Sequence, residues 1–266
     1  MATSTIEPCS TLDRPSEKKL ETLYDQYRKE GFVLPKQPLF SEPDFAELKA
    51  IFESLLDGKG DMRADELNRP HYEDPRLFKF LASEPVLDLV ESIIGPNIGL
   101  WSSHFICKEP FTGRKTPWHE DSKYWEGRID RMDKLATIWL AIDPSKKENG
   151  CMRVIPGTHV REENFEYVSV DKATHTFSTE LHGRYFNEED AVYFELEPNH
   201  CSIHDGRIFH GALPNTSAMR RCGYTMRYVS LECQINQDHP DNETHRLYHL
   251  RGENVANNKV EQPPKF

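Results

Sequence analysis

The sequence predicts a mainly β protein with flanking helices, in which a helical N-terminal part precedes a strand-rich sandwich or barrel. Two observations predict this order. Between residues 16 and 97, apolar residues recur at helical spacing in three segments. Between residues 98 and 235, short runs of β-branched and aromatic residues are separated by Pro, Gly, Asn and Asp. Several short strands with turn residues between them are typical of a sandwich or barrel.

Three helices are predicted in the N-terminal part. The first is expected to stop at Gly31, because glycine readily adopts the backbone conformation that ends a helix. Ser41 and Pro43 are typical of a helix start and introduce the second helix, and Gly95 ends the third. The polar segment 61–75 is interrupted by proline, which predicts a loop. The predicted bounds of the helices are 17–31, 41–60 and 83–95.

Seven runs of the strand-rich part, 98–235, are predicted to be strands, and we expect residues 1–266 to form one domain. The first 15 residues are polar and are expected to be loose. The C-terminal extension, 236–266, ends in a polar segment that predicts a surface tail. The predicted strands are IGLWSSHFICKEP, KLATIWLAID, CMRVIPG, DAVYFELEP, HCSIHDG, RIFHGAL and CGYTMRYVSLEC.

The balance of charges argues against a nucleic-acid-binding protein. Lys and Arg number 33 against 44 Asp and Glu, which makes the formal net charge −11, whereas a nucleic-acid site needs a basic face. No apolar run approaches the roughly 18 residues that span a bilayer, and the N-terminus lacks the apolar stretch of a signal peptide. We therefore expect a cytoplasmic monomer or homodimer with no membrane and no nucleic-acid partner.

The cysteines are scattered along the chain without a CxxC pair. In the reducing compartment expected for this chain, neither a zinc ribbon nor a disulfide framework is predicted. Most of the cysteines lie in apolar, strand-like runs, and we expect them to be buried small hydrophobic side chains. The six are Cys9, Cys107, Cys151, Cys201, Cys222 and Cys233.

A candidate metal site begins in the stretch TPWHEDSKYW, where His119 and Asp121 lie two positions apart. In an extended chain these two side chains point to the same face, where an imidazole and a carboxylate can bind one ion. His210, which ends the strand-like run RIFH, is the best candidate for a third ligand. A second His-Asp pair, HPD at 239–241, lies in a polar stretch without a flanking strand and is predicted to be a solvated loop.

Two histidines and one carboxylate leave three coordination positions of the metal open, as in non-heme Fe(II) oxygenases. Those positions accept O2 together with a chelating co-substrate such as 2-oxoglutarate, whose far carboxylate needs a cation. Arginine suits this role because its planar fork matches a carboxylate. Arg221 lies 11 residues after His210, across a short turn, whereas Arg220 would face the other way on a regular strand.

Four segments together carry a resemblance to a known family. TPWHEDSKYW, ATIWLAID, ENGCMRVIPGTHV and HDGRIFHGALPNTSAMRRCGYTMRY occur in the order seen in the phytanoyl-CoA dioxygenase family of Fe(II)/2-oxoglutarate-dependent oxygenases. The resemblance extends over roughly residues 20–255. It implies a double-stranded β-helix, which is a jelly roll of the cupin-like kind, with N-terminal helices packed on it.

The resemblance also implies roles for individual residues. The family's iron ligands correspond to His119, Asp121 and His210, and its 2-oxoglutarate arginine corresponds to Arg221. Further contacts with 2-oxoglutarate are implied for His104, Thr137 and Trp139. The chain departs from the family at Ala212, where a serine is frequent, and in lacking a matching lysine after the N-terminal helices.

The predicted function is oxidation, by hydroxylation, of a C–H bond in a small polar metabolite or natural-product intermediate, while 2-oxoglutarate and O2 become succinate and CO2. Asp121 favours hydroxylation over halogenation, because halogenating relatives lack this carboxylate. The side chains of Arg69, His71, Trp118 and Tyr124 are candidates for substrate contact and would suit a polar or anionic molecule.

Two other functions remain open on the sequence. A cupin-like zinc or manganese hydrolase or isomerase would use the same three ligands but leaves Arg221 without a role. A non-catalytic relative that binds a small acid would not need the complete set of ligands. Anaerobic addition of Fe(II) and 2-oxoglutarate separates these alternatives from the oxygenase.

Overall fold

The computed structural model describes residues 17–264, with side chains from residue 23 onwards. The predicted loose segment, 1–15, lies outside the described residues. Four α-helices occur in the described part, and short 3-10 turns connect several elements. The helices are α1 (Glu17–Glu30), α2 (Glu42–Asp57), α3 (Phe78–Leu81) and α4 (Glu84–Ile94).

Strands dominate the chain after α4, and the described residues contain thirteen of them. All seven predicted runs contain a strand, although most strands are shorter than their runs. The strands are β1 (Phe32–Val33), β2 (Leu67–Asn68), β3 (Ile98–Lys108), β4 (Thr116–His119), β5 (Leu135–Ala141), β6 (Met152–Val154), β7 (Tyr167–Ser169), β8 (Thr179–Leu181), β9 (Val192–Tyr193), β10 (Cys201–His204), β11 (His210–Ala212), β12 (Arg221–Ser230) and β13 (Tyr248–Arg251).

The strands form two main antiparallel sheets. The major sheet has seven strands in the order β1-β10-β5-β12-β3-β13, with β2 also paired to β3. The minor sheet has the order β4-β11-β6-β9, and β7 pairs with β8. Side chains of both main sheets, including Trp139 and Ala141 from the major sheet and Met152 and Val154 from the minor one, share a buried cluster. The sheets therefore enclose an interior, and the mainly β class is confirmed.

The helices cover the outer face of the major sheet. The Ser41 hydroxyl accepts the amide hydrogen of Asp44 at 3.3 Å and caps α2, and α4 ends at Gly95, where φ is +92°. Phe52 of α2 packs on Phe105 of β3 with ring centroids 5.0 Å apart. Burial of each such side chain contributes about 1.5–3 kcal/mol to folding.

Alternation along β12 separates the core from the interior of the barrel. Tyr224, Met226 and Tyr228 point outward into the cluster beneath the helices. Arg221, Thr225 and Arg227 have the opposite parity and line a cavity between the sheets. This strand therefore holds the helices on one face and displays its polar side chains inside the barrel on the other.

The prediction for the cysteines was wrong for one pair. Cys107 of β3 and Cys222 of β12 are directly opposite each other in the register and form a disulfide. The 115 residues between them in the sequence concealed the pairing. Cys151, Cys201 and Cys233 are free and buried, as predicted.

The polar C-terminal segment lies mainly at the surface, as predicted, but it is anchored to the rest of the fold. Strand β13 adds to the edge of the major sheet beside β3. Backbone hydrogen bonds join His249 to Glu261 and Glu261 to Leu247, so the chain folds back along β13. The buried side chain of Asn258 accepts the Ile235 amide hydrogen at 2.9 Å. These long-range contacts have no local sequence signature.

Within residues 17–264, no helix combines the length and the apolar character that crossing a bilayer requires.

Candidate metal centre and co-substrate pocket

The structure brings His119, Asp121 and His210 together. His119 ends β4, Asp121 begins the 3-10 turn that follows, and His210 begins β11, directly opposite His119 in the register. Their ligand atoms all lie within 4.8 Å of one another, and all three residues are buried. No other group of three His, Cys, Asp or Glu side chains in residues 17–264 is suited to hold a metal ion.

Both histidines are held in the tautomer that a metal requires. The Nδ1 atom of His119 lies 2.8 Å from the carbonyl oxygen of Pro117, and that of His210 lies 2.9 Å from the carbonyl oxygen of Ile208. A carbonyl only accepts, so each Nδ1 carries the hydrogen, and each Nε2 presents a lone pair. Such backbone contacts orient imidazole ligands in metal sites. The donor set therefore fits a divalent transition metal.

Arg227 holds the carboxylate of this group. Its Nε donates to Oδ2 of Asp121 at 3.2 Å, while Oδ1 of Asp121 lies 3.7 Å from Nε2 of His119. Burial by itself would raise the pKa of Asp121, but Arg227 and the two neighbouring histidines more than offset it, so the pKa lies well below its usual value. Asp121 is thus ionised, with Oδ1 turned toward the histidines.

Replacing Arg227 by Gln is expected to weaken metal binding about 10- to 100-fold, because outer partners of metal ligands typically contribute that much. Anaerobic titration with Fe(II) measures the change, and Arg227→Lys should recover part of it. Arg251→Gln is the matched control, since Arg251 of β13 pairs with Glu84 and Glu91 of α4. An iron affinity equal to that of the wild-type protein would exclude this positioning role.

A cavity of about 400 Å³ opens beside the three candidate ligands. Its wall includes Phe177, whose ring packs edge-on against His119 with centroids 4.9 Å apart. Asp65 and Arg114 also line it and form an ion pair at 2.7 Å. Apolar and charged side chains thus share the wall, which is typical of small-molecule sites.

One end of the cavity carries buried positive charge. Arg221 is 2% exposed, and its Nε and Nη2 both donate to the carbonyl oxygen of Gly150, at 3.1 and 2.7 Å. Its guanidinium lies 4.9 Å from the ring of Trp139. Burial lowers the pKa of Arg221 to about 10, so it remains protonated. No carboxylate among the described residues pairs with Arg221, and an anionic ligand would supply the missing partner.

Lys108 stands beside Arg221 but does not line the cavity. The two residues are register partners on β3 and β12. Nζ of Lys108 donates to the carbonyl oxygens of Arg114, Ala212 and Leu213, at 2.6, 3.4 and 2.6 Å, and Lys108 is 1% exposed. Burial and the neighbouring Arg221 lower its pKa well below the usual value. Backbone carbonyls therefore hold both side chains, and Arg221 is the one of the two that faces the cavity and could bind a 2-oxoglutarate carboxylate.

Two of the three further co-substrate residues line the cavity. His104 lines it and places Nε2 3.1 Å from the carbonyl oxygen of Asp65. Trp139 lines it as well, and its indole lies across Gly223, where an added Cβ would come within 2.0 Å of the ring. Thr137 does not line it. Its buried hydroxyl has no partner, and it lies between His204 and Arg227 in the register.

The four candidate substrate residues lie outside the cavity wall. Trp118 points to the other face of β4 and packs on Phe186 at 4.8 Å. Tyr124 stands behind Phe177, with centroids 5.3 Å apart. Arg69 directly precedes the 3-10 turn that follows β2, and His71 lies within that turn. For Trp118 the cause is strand alternation, because it neighbours His119 and must face away from it.

Sequence reasoning missed two cavity residues. Arg227 has the same parity as Arg221 on β12 and lines the cavity. His204 also lines the cavity, its ring lies 5.2 Å from that of His210, and its Nδ1 has no partner. Burial lowers the pKa of His204 to about 4, which keeps it neutral. The sequence alone does not reveal that His204 pairs with Thr137 in the sheet.

The second His-Asp pair forms a turn, as predicted. Residues 240–242 are a 3-10 turn in which Nδ1 of His239 accepts the amide hydrogen of Asp241 at 3.2 Å. The nearby His245 was not expected to pack, yet its ring stacks on Trp101 with centroids 3.9 Å apart.

Comparisons with known proteins agree with this geometry. The family model "Phytanoyl-CoA dioxygenase (PhyH)" matches residues 27–223. The "Phytanoyl-CoA dioxygenase domain-containing protein 1 homolog" of Dictyostelium discoideum is 26% identical over 230 residues, which cover 82% of this chain and 77% of that protein. The human "Phytanoyl-CoA dioxygenase, peroxisomal" is 28% identical over 60% of this chain, and the match spans about half of its length, 48%.

Solved structures share the fold at low sequence identity. The non-heme monooxygenase ThoJ superposes with a TM-score of 0.73 at 21% identity, over 91% of this chain and 88% of that one. The epimerase SnoN, in complex with Fe3+, alpha ketoglutarate and nogalamycin RO, has a TM-score of 0.68 at 18% identity, over 83% of this chain and 87% of that one. These likenesses confirm the predicted double-stranded β-helix. With its family model covering most of the chain, the protein belongs to the phytanoyl-CoA dioxygenase family.

Proposed function

We propose that this protein is an Fe(II)/2-oxoglutarate-dependent oxygenase that hydroxylates a small polar metabolite or natural-product intermediate. One observation carries the proposal: a buried, unpaired Arg221 lines the same cavity as the cluster of His119, Asp121 and His210. A metal site by itself fits many reactions. A metal site that shares a cavity with a buried arginine fits a co-substrate that is a chelator at one end and a carboxylate at the other.

The ligand atoms of the proposed iron site are Nε2 of His119, Nε2 of His210 and Oδ1 of Asp121. When bound there, iron supplies the coupling of O2 reduction to the oxidative decarboxylation of 2-oxoglutarate. Arg221 would bind the far carboxylate through the N–H groups that Gly150 leaves free, and Trp139 packs over the guanidinium. Phe177 packs beside His119 and helps exclude water.

The alternative of a zinc or manganese hydrolase explains the donor set but not the other end of the cavity. Hydrolysis needs a metal-bound water and a substrate carbonyl, and neither calls for a buried, unpaired cation such as Arg221. A non-catalytic acid-binding protein would explain Arg221 but leaves the orientation of both histidines without a purpose. We therefore propose neither.

The test is anaerobic addition of Fe(II) and 2-oxoglutarate to the purified protein. We expect a weak visible absorption band from the chelate, which zinc in place of iron should not produce. On admission of air, succinate should form slowly and depend on both additions. If an iron-loaded sample shows no band at saturating 2-oxoglutarate, the oxygenase assignment fails.

The hydroxylation step has a separate readout. A metabolite library is screened for compounds that stimulate succinate release, and the product of each active compound is analysed by mass spectrometry. Gain of one oxygen atom is expected. Loss of two hydrogen atoms would instead identify a desaturase or cyclase within the same enzyme class.

A further inference from the structure

Three partly or fully buried arginines lack a carboxylate partner among the described residues: Arg69, Arg128 and Arg221. The other arginines in those burial classes form ion pairs, such as Arg153 with Glu188. Arg221 has a role in the proposed pocket. Arg69 and Arg128 do not, and their lack of partners is notable in a chain of net charge −11.

Arg128 is held by neutral groups only. Its Nε donates to Oδ1 of Asn242 at 2.8 Å and its Nη2 to the carbonyl oxygen of Asp241 at 3.2 Å. Its guanidinium lies 4.8 Å from the ring of Trp101, on which His245 is also stacked. The side chain is therefore fixed in place, and the carboxylate of Asp241, which acts to raise the pKa of Arg128, forms no ion pair with it.

Arg69 sits in an unusual backbone conformation close by. Its φ is +53°, in the left-handed region that non-glycine residues seldom adopt and that is often found at functional sites. Its guanidinium lies 5.4 Å from the ring of Tyr72, and that of Arg246 lies 5.1 Å from the same ring. Arg246 has a carboxylate nearby, Glu261 at 3.7 Å, whereas Arg69 has none among residues 17–264.

A buried donor without an acceptor lies beside the ring of Tyr72, which Arg69 and Arg246 also approach. His71 is 2% exposed, and its Nδ1 lies 2.6 Å from Oγ of Ser103. The Tyr224 hydroxyl donates to the same Oγ at 3.0 Å, so the Ser103 hydrogen is available for Nδ1 of His71. The remaining hydrogen of a neutral imidazole then lies on Nε2, which has no partner. The Nε2 of His245 is likewise without one.

The charges of this cluster repel one another. Burial lowers the pKa of Arg128, Asp241 opposes this shift, and Arg69 adds to it. The pKa of His71 falls to about 3 through burial first and then through His245 and the arginines, and that of His245 falls to about 3 through burial and then Arg128 and Arg69. Both imidazoles are consequently neutral at pH 7, and the positive potential comes from the arginines.

The cluster adjoins the cavity. Arg69 follows Asn68, which lines the cavity wall. On the other side, Arg227 lies 5.7 Å from the ring of Trp125, which packs edge-on against Trp101 at 6.4 Å. The cluster is therefore joined to the cavity wall through Asn68 on one side and through Trp125 and Arg227 on the other.

We propose that Arg69, Arg128 and Nε2 of His71 form an anion subsite for the carboxylate or phosphate end of the substrate. The identity of the bound molecule as substrate rests on the proposed function, whereas the anion site itself does not. The subsite is separate from the co-substrate pocket, where Arg221 binds the carboxylate of 2-oxoglutarate.

The experiment is calorimetric titration of the wild-type protein with inorganic phosphate and, in parallel, with acetate. We expect saturable binding that Arg221→Ala retains. Arg69→Gln and Arg128→Gln should each weaken it about tenfold, the loss expected for one charge-assisted hydrogen bond. Arg131→Gln is the control, since Arg131 is exposed and pairs only with Asp133. Tighter binding of phosphate would identify a phosphate ester, and tighter binding of acetate a carboxylic acid.

Three results would overturn the subsite: no saturable binding by the wild-type protein, equal binding by the Arg69 and Arg131 variants, or loss of the binding in Arg221→Ala. If Arg69→Gln fails to fold, Arg128→Gln and the ¹⁵N chemical shift of His71 Nε2 take its place. A chemical shift that does not change on addition of phosphate counts against the site. The iron and 2-oxoglutarate absorption band tests the proposed function independently, because none of these residues lies in that pocket.

Discussion

Asp121→Ala is expected to lower the affinity for Fe(II) by more than about 100-fold and to abolish succinate formation. Loss of an outer partner of a metal ligand already costs about 10- to 100-fold, and Asp121 would be a ligand itself. Its removal also leaves two neutral imidazoles and the uncompensated charge of Arg227 around the ion. Anaerobic Fe(II) titration and the absorption band with 2-oxoglutarate measure both effects.

The matched control is Asp241→Ala, which removes the carboxylate of the second His-Asp pair. Asp241 is exposed in a surface turn and should leave iron affinity unchanged. Asp121→Asn keeps an oxygen for Arg227 and removes only the charge, so it should bind iron more weakly than the wild-type protein and more tightly than Asp121→Ala. Iron bound by Asp121→Ala with wild-type affinity would refute the proposed ligand set.

Arg221→Ala is expected to raise the dissociation constant of 2-oxoglutarate by at least about 30-fold. Truncation of one partner of a buried, hydrogen-bonded charge pair costs about 2–5 kcal/mol, and 1.4 kcal/mol corresponds to tenfold. Arg221→Lys keeps the charge but loses the planar fork, so it should give an intermediate value. Titration of the absorption band at fixed Fe(II) gives the constants.

Arg220→Ala is the control for this experiment, because Arg220 is the adjacent residue and faces the opposite way. It forms ion pairs with Glu53 and Asp143 on the helix side of the sheet, so its loss should affect thermal stability and leave 2-oxoglutarate binding unchanged. Fe(II) affinity without 2-oxoglutarate should be the same in both variants. If Arg221→Ala and Arg220→Ala bind 2-oxoglutarate equally well, Arg221 is not the carboxylate site.

Local pattern was sufficient for three of the four helices, for seven of the thirteen strands, and for the shared face of His119 and Asp121. Helical periodicity and the capping residues Ser41 and Gly95 predicted α2 and α4 within a few residues. Strand alternation predicted that His119 and Asp121 share a face and that Arg220 and Arg221 do not. Each of these relations depends on neighbours within one or two positions, so the sequence carries it directly.

Contacts between distant residues were not predictable in the same way. Arg227 meets Asp121 across 106 residues, and Cys107 meets Cys222 across 115. Strand β13 joins β3 although its own sequence is polar. Such pairs are set by the order and register of the strands, which the alternation of single strands leaves undetermined.

The sequence by itself therefore determined the class of the fold, the inward parity of the candidate ligands and the spacing of His210 and Arg221. The tertiary structure decided which polar groups are left without partners, because burial and pairing depend on the whole packing. It brought His204 into the cavity and left Nε2 of His71 without a partner.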